Sequence, residues 1–414
     1  MDNYTQRAQN IFARINQLAA ISEDAGGITR TFGTDKFMFG VALVAQWMME
    51  AGLPGRVDNI GNVRATLKSK VGGAKTFVIA SHIDTVVNAG KFDGPLGVLM
   101  GLNIVENLIA KKIELPFNIE LIAFSDEEGV RYHTTYLGSK VVVGSFDEAL
   151  LNKTDKNGIS LADAITKIGG DSKILSADAI PQNQWLGYYE IHIEQGPVLY
   201  ESDIPVAVVT AIAGQKRVEI TFTGVAGHAG TVPMDMRNDA LVASSEFVLA
   251  VEAFALDNKA DTVATVGKLD VVNSASNVIP GKVICSLDLR SADERRLILA
   301  YQSIKDICQK ISDKRKITLN WNLIQETKPV TCDKDLGQSL EKAIADSGIE
   351  LVKLVSGAGH DAVPVSQVSP VSMLFVRCFK GISHNPLEDV EIKDVAAAIK
   401  VSDRFLEELI KNNT

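Results

Sequence analysis

The chain has 414 residues, with 42 Lys and Arg against 51 Asp and Glu, giving a formal net charge of −9. At about 150 residues per domain this length suggests two or three domains, and 46% hydrophobic with 22% charged residues is ordinary globular composition that excludes wholesale disorder. The acidic balance, without any Lys/Arg-rich block, argues against a nucleic-acid binder, and no apolar run approaches the roughly 20 residues of a membrane helix.

The start, Met1-Asp2-Asn3-Tyr4-Thr5-Gln6-Arg7, lacks the basic-then-apolar order of a secretory signal. The four cysteines, Cys285, Cys308, Cys332 and Cys378, form no C-x-x-C pair, which excludes a disulfide scaffold and a Cys-type zinc site. A soluble, reduced, cytoplasmic protein is the expectation. Residues 1–54 read as largely helical. Ala8, Ile11, Phe12, Ile15 and Leu18 form one stripe of 3.6-residue period, and Leu43, Val44, Trp47, Met48 and Ala51 form another. Short apolar strands then alternate with helices: strand 76–81, helix 96–109, strand 119–124. That order predicts an α/β unit with a mostly parallel mixed sheet, and in such sheets chemistry sits just past the strand C-termini.

The rhythm changes near Gly214. Strand 216–223, helix 239–256, strands 262–269 and 282–290, helix 292–311 and strand 317–324 give β-α-β-β-α-β, the split-βαβ layout of a ferredoxin-like module. The module is placed at residues 215–325, inserted in a catalytic domain made of 1–214 and 326–414.

Five of the six histidines lie at segment ends in runs dense in Gly, Asp, Glu or Asn. Ser81-His82-Ile83-Asp84-Thr85 closes a strand, and residues two apart share a face. His82 as a metal ligand oriented by Asp84 is one reading; a strand-end surface pair is the other. In Lys91-Phe92-Asp93-Gly94-Pro95, Asp93 reads as a ligand, a helix N-cap, or both. Asp126-Glu127-Glu128 stacks three carboxylates, which repel unless a cation is near or the turn is solvated. The cation reading divides their labour, one Glu on metal and its neighbour as general base. His192 in Ile191-His192-Ile193-Glu194-Gln195-Gly196-Pro197 is a further ligand candidate, with Glu194 on its face, and His384 in Gly381-Ile382-Ser383-His384-Asn385-Pro386 is the last. Gly227-His228-Ala229-Gly230 and Ser356-Gly357-Ala358-Gly359-His360-Asp361-Ala362 read as substrate-handling segments. The second contains G-x-G-x-x-A, but Pro364 interrupts the helix that a dinucleotide fold requires. H-E-x-x-H, G-x-S-x-G and Walker motifs are missing, which disfavours zincins, α/β-hydrolases and P-loop enzymes.

Taken in order, SHIDTV, KFDGPLGV, DEEGVRY, HIEQGPVL, GHAGTVPM, NVIPG, SGAGHDA and GISHNP resemble the hydantoinase/carbamoylase branch of the two-metal aminoacylase/carboxypeptidase-type metallohydrolase superfamily, from about Asp58 to Asn385. The resemblance implies a phosphorylase/hydrolase-like catalytic domain and two divalent metal ions per subunit, Zn, Mn or Co. It puts His82 and His192 on one ion, Glu128 and His384 on the other, and Asp93 between them. Glu127 is then the general base and Asp84 orients His82. Gln215, His228, Asn277, Arg290 and His360 are implied substrate contacts. The inserted module is implied to be lid and dimer contact, so that His228 of a homodimer acts on the partner's site. The implied reaction is hydrolysis of a terminal carbamoyl C–N bond in a small ureido carboxylate, releasing ammonia and CO2. Allantoate is favoured slightly over N-carbamoyl-L-amino acids, with ureidoglycolate and N-carbamoyl-β-alanine behind them and dipeptides or N-acyl amino acids more remote. Two residues depart from the pattern. His133 stands where a small residue, commonly Gly, is expected, and Tyr132 where Phe is frequent; the His133 ring either narrows the pocket or faces solvent.

Overall fold

Two amphipathic helices open the chain, Asn3–Ala19 and Asp35–Glu50. Ala8, Ile11, Ile15 and Leu18 of the first are buried, as are Val44, Trp47 and Met48 of the second. These helices bear out the expectation of a largely helical start, with a helix-poor link between them. Ser22 Oγ there accepts from the N–H groups of Asp24 and Thr29, competing with helical bonds. Thr34 then caps the second helix by accepting from Phe37 N at 3.2 Å. The computed structural model describes residues 3–413; Met1 and Asp2, part of the start read for a signal, and Thr414 lie outside the described residues.

The described residues form two compact units, one running to Thr210 and resuming at Cys332, the other Ala211–Thr331. The first unit is built on a mixed sheet in the order Arg56–Val57, Val63–Leu67, Asn118–Phe124, Thr76–His82, Trp185–Ile193, Val371–Val376, Val206–Ile212. Its four central strands, Asn118–Phe124 to Val371–Val376, are parallel, and the flanking pairs are antiparallel. All seven residues of Thr76–His82 are buried, which explains an unbroken apolar run instead of alternation. Parallel pairing carries the C-terminal ends of all four central strands to one edge, with His82 beside Phe124 and His192 beside Phe375. Helix Pro95–Ala110 lies directly on this sheet. A Cβ on Gly97 would stand 2.0 Å from Ile191 O, so only glycine permits the contact. Helices Asn3–Ala19 and Ile392–Asn412 are joined by a buried Arg7–Asp403 ion pair. No helix among the described residues is long and apolar enough to cross a membrane.

The second unit is an antiparallel sheet in the order Leu269–Val271, Lys282–Ser291, Gly214–Thr223, Thr318–Thr327, with helices Ala240–Asp257 and Glu294–Arg315 and a core that includes Phe222, Phe247, Leu287 and Ile304. Strand and helix alternate in the β-α-β-β-α-β order. The predicted strand 262–269 is broken into Val263–Thr265 and Leu269–Val271 around Gly267, which has no side chain to hold a ladder position. Helix 292–311 extends to Arg315, where Lys316 turns left-handed at φ 55°. A small pair not anticipated from the sequence, Gly227–His228 with Val278–Ile279, ties GHAG to NVIPG.

Candidate metal centre and active site

Strand ends bring the first unit's candidates together. His82 ends Thr76–His82, and His192 lies one residue from the end of Trp185–Ile193. Glu127 and Glu128 follow Asn118–Phe124, and His384 follows Val371–Val376. Asp93 sits at the entrance to helix Pro95–Ala110. Asp93 Oδ1 lies 3.1 Å from His192 Nε2 and 3.9 Å from His82 Nε2. Its Oδ2 lies 3.1 Å from His384 Nε2, which is 3.4 Å from Glu128 Oε1. Two triads, His82–Asp93–His192 and Asp93–Glu128–His384, each offer ligand atoms within 4.8 Å of one another and share Asp93. A third, His82–Glu127–Glu128, meets the same limit and sets Glu127 beside both.

This donor set fits a pair of divalent cations. Asp93 Oδ1 is buried without a hydrogen-bond partner among the described residues, an arrangement that costs free energy unless a cation faces it. Imidazole nitrogen and carboxylate oxygen without thiolate suit Zn, Mn or Co. Asp126, Gln195 and His384 all adopt left-handed backbone, at φ 52°, 58° and 54°. Such non-glycine conformations cost about 1–3 kcal/mol each; they also occur away from the cluster, for example at Lys112, Asp203 and Lys316.

Electrostatics separate the acids. Burial, and then the charge of Glu128, push the Glu127 carboxyl well above the ordinary range. Burial also opposes ionisation of Asp93, but the neighbouring His192 and His384 imidazoles outweigh it and hold that carboxyl well below its usual range. Hydrogen bonds with Asp93 and then Glu128 raise His384 to about 10. The arrangement therefore offers a charged bridging carboxylate next to a carboxyl poised to exchange a proton.

The other candidates of the first unit are held by specific contacts. Asp84 was expected to orient His82; its carbonyl oxygen lies 3.1 Å from His82 Nδ1 and its Oδ1 3.5 Å away. The Asp84 carboxylate accepts from Glu127 N at 3.0 Å and Glu128 N at 3.1 Å, fixing the loop that carries both. Glu194 faces away from the cluster in its bonding, since its carboxylate accepts from Val198 N and Leu199 N. His360 is buried, with Nε2 2.7 Å from Ser356 Oγ and its ring edge-on to His192 at 4.6 Å. What it touches is a candidate ligand. His133 is exposed, and its carbonyl accepts from Lys153 Nζ at 3.3 Å. Tyr132 is buried and donates to Ser160 O at 3.2 Å.

The sequence reading missed Gln195, Ser383 and Glu388. Gln195 Nε2 and Ser383 Oγ each lie 2.9 Å from Asp93 Oδ2. Glu388 Oε1 accepts from Phe92 N at 2.7 Å and Asp93 N at 3.1 Å. Both Gln195 and Ser383 lie inside quoted motifs, but only the fold shows their common target.

The remaining candidates belong to the second unit and form two groups. Gln215 and Arg290 are register partners on adjacent strands. Asp288 accepts from Gln215 Nε2 at 2.6 Å, from Arg217 Nε at 3.1 Å and from Arg290 Nε at 2.7 Å. His228 pairs with Val278, and Ala229 N donates to Asn277 O at 2.9 Å. Gly230 N donates to His228 Nδ1 at 3.0 Å, so a neutral His228 carries its proton on Nε2 and can donate from there.

Comparison with known proteins finds relatives over nearly the whole chain. The model of peptidase family M20/M25/M40 matches residues 78–408. Allantoate deiminase 1 of Glycine max is 38% identical over 429 residues, covering 96% of this chain and 88% of that one. The N-carbamoyl-L-amino-acid amidohydrolase of a Pseudomonas species is 34% identical over 416 residues, covering 100% of each chain. A crystal structure of an amidase of the hydantoinase/carbamoylase family from Burkholderia multivorans superposes with a TM-score of 0.90 at 33% identity, over 97% of this chain and 98% of that one.

Proposed function

The chain belongs to peptidase family M20/M25/M40 and is a hydrolase of carbon–nitrogen bonds other than peptide bonds, and on that footing we propose that it is a metal-dependent allantoate amidohydrolase. It cleaves the terminal carbamoyl C–N bond of its substrate, releasing ammonia and CO2. The observation that carries the reading is the convergence of His82, Asp93, Glu128, His192 and His384 beside Glu127. The 38% identity to allantoate deiminase 1, against 34% to the N-carbamoyl-L-amino-acid enzyme, supports allantoate over its nearest competitor.

His82, His192 and Asp93 would hold one cation, and Asp93, Glu128 and His384 the other; bound there, they would supply polarisation of the carbamoyl oxygen and a more acidic water. Glu127 takes a proton from the attacking water and returns it to the leaving nitrogen. Its buried, proton-holding carboxyl suits that exchange. Asp84 keeps Glu127 and Glu128 on station through their N–H groups. His228 donates from Nε2 to the developing oxyanion, a contact whose removal elsewhere costs about 10²–10³ in rate. Arg290, with Gln215 and Asn277, anchors the substrate carboxylate by a guanidinium fork. His360, its ring edge-on to His192 at 4.6 Å, contacts the substrate. Residues 215–325 serve as lid and homodimer contact, so that His228 acts on the partner's site, and the enzyme works in the cytoplasm.

The test is ammonia release from allantoate, ureidoglycolate, N-carbamoyl-β-alanine and N-carbamoyl-L-amino acids, with Mn, Zn or Co. Allantoate is expected to give the highest kcat/KM. Faster turnover of an N-carbamoyl-L-amino acid would reassign the substrate. Cleavage of dipeptides or N-acyl amino acids alone would overturn the ureido reading.

A further inference from the structure

The two oxygens of Asp93 are treated differently by the protein. Oδ1 is buried and has no hydrogen-bond partner among the described residues; it faces His192 and His82, whose side chains are each 2% exposed. Oδ2 receives Gln195 Nε2 and Ser383 Oγ, each at 2.9 Å, and faces His384, whose side chain is 48% exposed. Ser383 is itself tied to Glu388 Oε2 at 3.3 Å, and the other oxygen of Glu388 binds the Asp93 and Phe92 N–H groups. One carboxylate therefore has a bare inner oxygen and a braced outer one.

We infer that Gln195 and Ser383 are positioning residues that, through Asp93 Oδ2, govern retention of the outer cation alone, the one held with Glu128 and His384. The inference rests on the two-cation reading above. Its logic is local. The inner position is framed by two imidazoles enclosed in protein and by an oxygen that needs no bracing. The outer position leans on a half-exposed imidazole and on an oxygen whose direction is set by two donors. Hydrogen bonds that orient a ligand typically control metal affinity by about 10–100-fold. That control falls here on one of two neighbouring positions, which predicts stepwise loss of the cations with the outer one leaving first.

The test is the manganese content of the full-length protein, equilibrated against buffers of graded free Mn²⁺ and read by elemental analysis. The wild-type protein is expected to lose one ion per chain well before the other. Ser383→Ala and Gln195→Met are each expected to move the first loss to about 10–100-fold higher free Mn²⁺ while leaving the second where it was. Ser383→Thr, which keeps the hydroxyl, is expected to restore the wild-type curve. Thermal unfolding of each variant separates these shifts from general instability, and the Gln195 variant carries the test if the Ser383 variant does not fold. Equal displacement of both losses, or displacement of neither, overturns the inference while leaving the two-cation site standing. A wild-type protein that never retains Mn²⁺ overturns the proposed function as well.

Discussion

Asp84 shows how a side chain and its own backbone divide two tasks. Its carbonyl meets His82 Nδ1, and its carboxylate pins the N–H groups of Glu127 and Glu128. The sequence signalled that Asp84 mattered, because it follows a strand-end histidine by two residues. It did not say which atoms would act, since that depends on a loop 43 residues away. The same limit hid Gln195 and Glu388, whose contacts with the Asp93 residue span 102 and 295 positions. The five candidate ligands were legible for the opposite reason. Each stands at a strand end or loop rich in glycine and acid, where its chemistry has no packing role to play. Arg290 supplies a prediction at this scale. Its Nε and Nη2 lie 2.7 and 3.0 Å from the two Asp288 oxygens, so its guanidinium plane is fixed before any substrate binds. Arg290→Ala is expected to raise KM for allantoate by about 10–100-fold, the loss of a charged hydrogen-bonded pair, with a smaller change in kcat. An unchanged KM would place the carboxylate anchor elsewhere.

At the scale of elements, the helix Pro95–Ala110 couples fold to site. Gly94 enters it at φ 82°, and a Cβ there would stand 2.4 Å from His82 Cε1. Gly97 touches the neighbouring strands through Ile191 O and Ser81. Gly97→Ala is expected to destabilise the protein by about 1–3 kcal/mol, the usual cost of overpacking, read as a lower urea midpoint at unchanged slope. A midpoint equal to wild type would show that the helix does not bear on the sheet there. Central strands were readable because two-sided burial leaves a continuous apolar run. Helix Glu294–Arg315 ran past its predicted end because Asp313, Lys314 and Arg315 are polar and carry no periodic signal. The break at Gly267 was unreadable for a different reason: one glycine in an alternating stretch marks either a gap or a pleat.

For the whole molecule, the order of elements along the chain predicted a mostly parallel mixed sheet followed by a split-βαβ module; the mixed sheet is present, and residues 211–331 carry an antiparallel sheet with two helices. The proposed cross-subunit role of His228 is open to direct trial. Inactive His228→Ala and inactive Glu127→Gln subunits, mixed and reassociated, are expected to recover about a quarter of wild-type activity, since half of randomly formed two-fold dimers are mixed and each then holds one intact site. No recovery in verified mixed dimers would mean that His228 serves its own chain. The central claim is that Glu127 moves the proton beside a cation pair held by five converging side chains. Its most direct test is ammonia release from allantoate by Glu127→Gln and wild-type protein at matched metal content. Glu127→Gln is expected to retain metal equally and to show a kcat lower by about 10²–10⁴-fold. Turnover close to wild type in a fully loaded Glu127→Gln protein would contradict it.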